Sequence, residues 1–514
     1  MRFVNARTRV TRARVSLCKT SVLLLASAAA CAGSNKAAPP YPNLPVSFPP
    51  GFRLGVATVA HQSEGTIQQN DGTAQSNWSQ WEDMGKCAEG QKNRYGNGFF
   101  DRYDVDVQLA ASIHANAFSY ALDWARIEPQ PGVFDDSEAQ RAVDVIRDMR
   151  QHGLRPMVIL FHWVTPTWVQ SPVSGVDMLA RSDQSFVDAF LPFVDYMVPK
   201  LAGMVDDWVT FEEPISIIGG EYLTGEHPPG KVLDIPDATN ALENLMYLSA
   251  RAYQEVHRLD TTDADGDTVP AWVGFENLAI ELVPLDPTNP DDVAATKHVD
   301  YIANQEFANA ITSGDIDLDM DGKPDMHDDS IAHTLDFIGL NYYQRARVEA
   351  GGPFHAIAPL YATPLYDVRQ YDPTLPHGDD YAEISASGLR VELEAYAKYG
   401  LPLMVTENGM ADADDDQRPY YTLQHLYEIA NAIRDGIDVR GYFHWTVSDN
   451  FEWAYGTDYK EGMFKVDFGD PSFPRTKTNT ADLFSKIGAA GAITHDIWSQ
   501  YALSSYPVGI PCIP

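Results

Sequence analysis

Two apolar runs, Trp208 to Phe211 and Leu403 to Thr406, each lead into a glutamate that could do chemistry. The first runs into Glu212, Glu213 and Pro214, and the second into Glu407, Asn408 and Gly409. Other runs end in the same way: Met157 to Phe161 meets His162 and Trp163, Phe337 to Leu340 meets Asn341, Tyr342 and Tyr343, and Gly441 to Phe443 meets His444 and Trp445. A single glutamate after a strand reads as a solvated loop residue. Glu213 and Glu407 together, amid histidine and tryptophan, read as the paired carboxyls of glycoside hydrolysis, one protonating the leaving oxygen while the other attacks the anomeric carbon.

Such a pair needs a scaffold that brings distant strand ends to one mouth. Besides the runs above, Arg53 to Thr58, Ala117 to Leu122 and Ala271 to Phe275 read as strands, which makes eight. Between them, Tyr103 to His114, Asp136 to His152, Gln184 to Leu201, Ala238 to Leu259, Asp291 to Ile311, Gly388 to Tyr399 and Leu423 to Asp435 carry helix formers with apolar spacing near three and four. Alternating strand and helix implies parallel strands with crossover helices, and eight such units close into a single (β/α)8 TIM barrel with elaborated βα loops. In that architecture reactive residues stand at the C-terminal ends of strands. Residues 51–514 are assigned to the barrel and a C-terminal extension, because no second Pro/Gly-rich linker divides them.

Composition agrees with one large soluble body. The chain has 514 residues, of which 44% are hydrophobic and 21% charged, with a net charge of -35. That sign argues against nucleic acid as a partner. The only long uncharged apolar stretch, Ser21 to Ala30, is too short for a transmembrane helix. Preceded by Arg2, Arg7, Arg9, Arg12, Arg14 and Lys19, it reads as an export signal over residues 1–31. A cut before Cys31 would leave a lipid anchor on that cysteine, whereas a cut after Ala32 fits a small-x-small site. The expected location is secreted, periplasmic or lipid-anchored at the cell surface. Residues 32–50 are rich in proline and are expected to form an extended tether, with folded structure beginning near Gly51. Cys87 and Cys512 are the remaining thiols, and one disulfide between them is expected in an oxidising compartment.

The strand-end residues resemble a known family, glycoside hydrolase family 1, the retaining beta-glucosidase group. The resemblance is carried in order by Phe52 to Thr58 with Gln62, Glu64 and Gly65; by Trp124, Arg126 and Ile127; by Phe161, His162 and Trp163; and by Thr210 to Pro214. It continues through Phe337 to Tyr343, Thr406 to Gly409, and Trp445 with Asp449 to Trp453. It implies that Glu407 is the nucleophile and Glu213 the acid/base of a retaining reaction, with carboxyls about 5 to 5.5 Å apart. Tyr343 matches the tyrosine that hydrogen-bonds the nucleophile. Gln62, His162, Glu452 and Trp453 match sugar-binding positions, and Trp445 matches the residue on which the glycone stacks. The implied substrate is a small-molecule or oligosaccharide beta-glycoside with an uncharged glycone, cleaved without a cofactor.

Two positions depart from that pattern. Glu212 stands where the family has an asparagine on the sugar 2-hydroxyl, and Ser119 stands where it has an arginine beside the nucleophile. Both changes remove support for negative charge and push carboxyl pKa values upward. They leave open a weakened or inactive carbohydrate-binding barrel, a transglycosidase, or a glycosidase acting on amino sugars. Outside the family pattern, Asp317, Asp319, Asp321, Asp325 and Asp328, with Gly322, follow the spacing of a calcium loop and predict a structural calcium.

Overall fold

The computed structural model describes residues 43–503, apart from 69–71, 74, 351–376 and 381. The expected export signal, Cys31 and Cys512 lie outside the described residues, as does most of the tether.

Eight parallel strands close a barrel in chain order: β1 (Arg53–Val59), β2 (Ala117–Ala121), β3 (Arg155–Ile159), β4 (Asp207–Glu212), β5 (Trp272–Leu278), β6 (Phe337–Asn341), β7 (Leu403–Asn408) and β8 (Val439–His444), which pairs back onto β1. These strands read as unbroken apolar runs because one face fills the barrel and the other meets the helices, so neither face sees water. β1, β2, β4, β6 and β7 are buried at every residue.

The outer layer is formed by α1 (Phe99–Ser112), α2 (Asp136–Gln151), α3 (Ser185–Leu201), α4 (Ile235–Leu259), α5 (Pro290–Asp300), α6 (Ala386–Tyr396), α7 (Arg418–Arg434) and α8 (Asn479–Ala490). Helix α2 shows how local sequence sets an element. The Asp135 carboxylate accepts from the backbone N–H groups of Ser137 and Glu138, satisfying first-turn donors, while Ala139, Ala142, Ile146 and Met149 bury one stripe.

Three expectations are corrected. The helix expected over Asp291 to Ile311 is interrupted: α5 passes into a wider π turn over Tyr301–Gln305 before continuing as Glu306–Ser313. What was assigned to a C-terminal extension contains α8, capped by Thr478 and closing the eighth strand–helix unit. The folded body also begins before Gly51. Val46–Ser47 pairs antiparallel with Ala492–Ile493, Val46 is buried, and the Phe48 ring stacks on Phe52 at 4.7 Å. A proline-rich run can still contribute an edge strand of two residues.

At the N-terminal end of the barrel, Asp207 at the start of β4 is gripped by two arginines. Arg53 Nε and Nη2 donate to it at 2.7 and 3.0 Å, and Arg155 Nε and Nη2 at 2.6 and 2.8 Å. At the opposite end pairing is less regular. Register shifts fall between Val209 and Glu212, between Leu340 and Asn341, and between Val405 and Asn408. Irregularities of this kind re-aim side chains beside active sites. Here they set Glu212 opposite Glu276 and Asn341 opposite Glu407.

Among the described residues, no helix is long and apolar enough to cross a membrane.

Candidate active site

The C-terminal mouth of the barrel holds a cavity of about 330 Å³. It is lined by His162, Trp163, Glu212, Glu213, Tyr343, Glu407, Trp445, Glu452 and Trp453, together with Leu278, Gln344, Asp380, Tyr455, Tyr459 and Glu461. Every residue expected at the sugar site is therefore on its wall except Gln62. That side chain sits directly behind, its amide donating to Glu452 Oε2 at 2.9 Å.

Each carboxyl is set by its strand. Glu213 follows β4 in the left-handed region, at φ 44°, and its carboxylate accepts from Ser216 Oγ at 2.6 Å and from Asn341 Nδ2 at 3.0 Å. Asn341 also donates to Glu212, and its own carbonyl accepts from Thr406 Oγ1 at 2.8 Å. One amide at the end of β6 thus holds two neighbouring carboxyls. Glu407, within β7, accepts from the Tyr343 hydroxyl through Oε2, while its Oε1 has no hydrogen-bond partner among the described residues, and the residue lines the cavity. Trp163 at φ 64° and Trp453 at φ 44° share the left-handed backbone of Glu213. Such positions cost about 1–3 kcal/mol each and gather at functional sites.

Aromatic rings and the distal carboxyls complete the wall. Trp453 is sandwiched between His61 and His162, with ring centroids at 5.8 and 5.5 Å, and packs on Trp163 at 4.8 Å. Trp445 turns its indole N–H to Glu461 Oε2 at 3.1 Å.

Electrostatically the pocket is one-sided. Glu212, Glu213, Glu407, Glu452, Glu461 and Asp380 all line it, and among the described residues none of those lining it is lysine or arginine. Burial raises the Glu213 carboxyl above the usual range, against the hydrogen bonds from Ser216 and Asn341. Burial, followed by the charges of Glu212 and Glu213, raises Glu407 well above that range, with the Tyr343 hydroxyl pulling the other way. Burial also carries Glu452 to about 8 and lowers His162 to about 3, so that imidazole is neutral. Cations close in sequence are committed elsewhere: Arg126 and Arg141 both pair with Glu64. Tyr120 donates to Glu64 at 2.6 Å and stacks on Phe99 of α1, so it faces the helices. By strand alternation its neighbour Ser119 faces the barrel interior, where the family arginine would stand.

Sequence reasoning missed Glu276, at the C-terminal part of β5. It is fully buried and stands behind Glu212. Neither carboxyl oxygen of Glu276 has a hydrogen-bond donor among the described residues. Burial raises Glu276 to about 8, and burial followed by the Glu276 charge raises Glu212 well above the usual range. Gly339, opposite in register, makes room for it, since a Cβ there would lie 2.8 Å from Glu276 Cγ. The rule that found Glu213 would have found Glu276 too, because it directly follows the apolar run ending at Phe275.

Of the five aspartates expected to form a calcium loop, three are brought together. Carboxylate oxygens of Asp317, Asp319 and Asp325 converge within 4.8 Å. Asp321 instead pairs with Lys323 at 2.7 Å, and Asp328 accepts from Tyr247 and the Ser330 N–H, both at 2.8 Å. Asp325 accepts the N–H groups of Leu318 and Asp319, and Asp317 that of Gly322. The loop satisfies itself by hydrogen bonds and presents fewer carboxylates than the spacing suggests. Cys87 is buried and unpaired among the described residues, and burial raises its thiol to about 12.

Comparison with known proteins points one way. The profile of "Glycosyl hydrolase family 1" matches residues 44–491. A "Beta-galactosidase" of Pyrococcus woesei is 28% identical over 88% of this chain and 98% of its own length. "Beta-glucosidase 12" of Oryza sativa subsp. japonica is 26% identical over 90% of this chain and 96% of its own. Among solved structures, a "beta-glycosidase from Pyrococcus horikoshii" superposes with a TM-score of 0.76 at 27% identity, covering 90% of this chain and 99% of that one. A "Beta-glucosidase from Thermotoga maritima in complex with glucoimidazole" does so with a TM-score of 0.76 at 26% identity, covering 87% and 100%.

Proposed function

The chain belongs to glycosyl hydrolase family 1 and is a beta-glycosidase, and from that premise we propose that Glu407 is its nucleophile and Glu213 its acid/base. The observation that carries this reading is that both carboxyls, buried at strand ends, face one cavity of about 330 Å³ walled by tryptophan and by hydroxyl-binding groups. In the first step Glu213 delivers its proton to the leaving oxygen as Glu407 attacks the anomeric carbon, giving a glycosyl ester on Glu407. In the second, Glu213 takes a proton from water, which attacks the same carbon and releases the sugar with its configuration retained.

The site's own groups fit these roles unequally. Burial raises Glu213, which suits a group that must hold a proton near neutral pH. Glu407 must be ionised, and the Tyr343 hydroxyl favours that form, whereas burial and the nearby glutamates oppose it. With Ser119 in place of a cation, the nucleophile ionises at higher pH than it otherwise would. Trp445, Gln62, Glu452 and His162 supply a flat apolar surface and polar edges suited to a sugar ring. None of these steps uses a cofactor.

The test is a panel of aryl beta-glycosides run on the protein and on Glu407→Ala. We expect turnover to collapse in the variant and to return on adding azide, with an alpha-glycosyl azide as product. Turnover that survives the substitution unchanged overturns the assignment.

A further inference from the structure

Resting on the reading of this pocket as the glycone site, we propose that its sugar carries a protonated amine on the carbon next to the anomeric carbon, and that Glu212, backed by Glu276, holds that ammonium. The substrate class is a 2-amino-2-deoxy beta-glycoside.

Position comes first. Oxygens of Glu212 and Glu407 and a ring nitrogen of His162 lie within 4.8 Å of one another on the cavity wall. If Glu407 reaches the anomeric carbon, a group one carbon away comes within reach of Glu212 Oε2, an atom with no hydrogen-bond donor in the protein. His162 Nδ1 lies 3.5 Å from that oxygen, but its imidazole is neutral and supplies no charge.

Charge comes second. An amide at position 212 would offer a donor to a hydroxyl, whereas a carboxylate offers only acceptors, and an ammonium is the complementary donor. Glu276 doubles the acidity at this one corner. It is fully buried, touches no arginine or lysine, and occupies space that Gly339 leaves free. Two neighbouring buried carboxyls with no lysine or arginine beside them among the described residues favour holding a proton, and a bound ammonium can replace that proton with a matching charge. For a neutral glycone the same corner is a liability, because charge buried there has no partner.

The experiment compares 4-nitrophenyl beta-glucosaminide, beta-glucoside and N-acetyl-beta-glucosaminide on wild type, Glu212→Asn and Glu276→Gln, with and without EDTA. We expect wild-type kcat/KM to favour the glucosaminide over the glucoside by about 10- to 100-fold, as for a buried charge-assisted hydrogen bond, and the uncharged N-acetyl compound to be poorest. Glu212→Asn should invert the preference by lowering the first rate and raising the second, and Glu276→Gln should narrow it. As a binding readout free of turnover, glucosamine should quench the tryptophan fluorescence of Glu407→Ala at lower concentration than glucose does. A wild-type preference for glucoside, or a ratio untouched by Glu212→Asn, overturns the proposal. So does a ratio that collapses in EDTA, which would make the cation a metal. If the glucoside is cleaved better and Glu407→Ala abolishes it, only the amine is lost. If folded protein cleaves none of the three, the glycone-site reading falls with it.

Discussion

Strand β4 carries a buried carboxyl at each end, and the molecule treats the two in opposite ways. Asp207 and Glu212 are each 1% exposed. Asp207 is met by Arg53 and Arg155, whose charges offset its burial and hold its carboxyl below the usual range. Glu212 meets Glu276, Glu213 and one amide, and its carboxyl rises well above that range. The closed end of the barrel meets its carboxylate with two cations, and the open end sets none beside Glu212 among the described residues. Burial is the same at both ends, so partner choice separates a group that holds the fold from the one we propose meets the substrate.

The largest effect that would test this division is loss of rate without loss of fold. Glu407→Ala should lower kcat/KM by about 10,000-fold or more, as for removal of a nucleophile, while thermal unfolding shows the midpoint unchanged or raised because one crowded carboxyl has gone. Asp207→Ala should show the converse. It strands Arg53 as a buried cation, while Arg155 keeps Asp265 and Asp267, and should cost about 3–5 kcal/mol in urea unfolding, with the acid limb of the pH–rate profile in place. If both variants lose rate and stability together, the division between the two ends is wrong.

Two smaller effects sharpen it through pH. A nucleophile works only when ionised, so under the proposed assignment a raised Glu407 means that activity is lost as pH falls through that raised value. Ser119→Arg restores a cation on the interior face and should move this limb about one pH unit or more downward, read from kcat/KM profiles. For stability, Glu276 has a folded-state pKa of about 8 against a usual value of 4.5. Between those values the folded protein binds more protons than the unfolded chain, so this group's contribution is full below the lower value and lost as pH rises to the upper one. Glu276→Gln should therefore flatten the fall in melting temperature across that window.

The eight strands were legible because burial on both faces forces continuous Val, Ile, Phe and Met runs, and Glu213 and Glu407 were legible because each follows such a run. Glu276 follows one as well, yet no motif accompanies it, and only the register that sets it against Glu212 shows what it does. Asp380 and Glu461 reach the pocket from long loops, where no periodicity predicts direction. Helix α8 escaped notice because the chain after β8 first makes the hairpin of Phe464–Val466 with Arg475–Lys477. The aspartate spacing reads as a calcium loop, but spacing alone could not reveal that Asp321 pairs with Lys323 and Asp328 with Tyr247.

The hydrogen bond from Gln62 to Glu452 joins residues 390 positions apart, across the seam where β8 pairs with β1. With Glu213 in one half of the chain and Glu407 in the other, no fragment released early from the ribosome owns the proposed machinery whole. Hydrolysis begins only when the ring is shut, so the first turnover reports that synthesis and folding of the whole have finished.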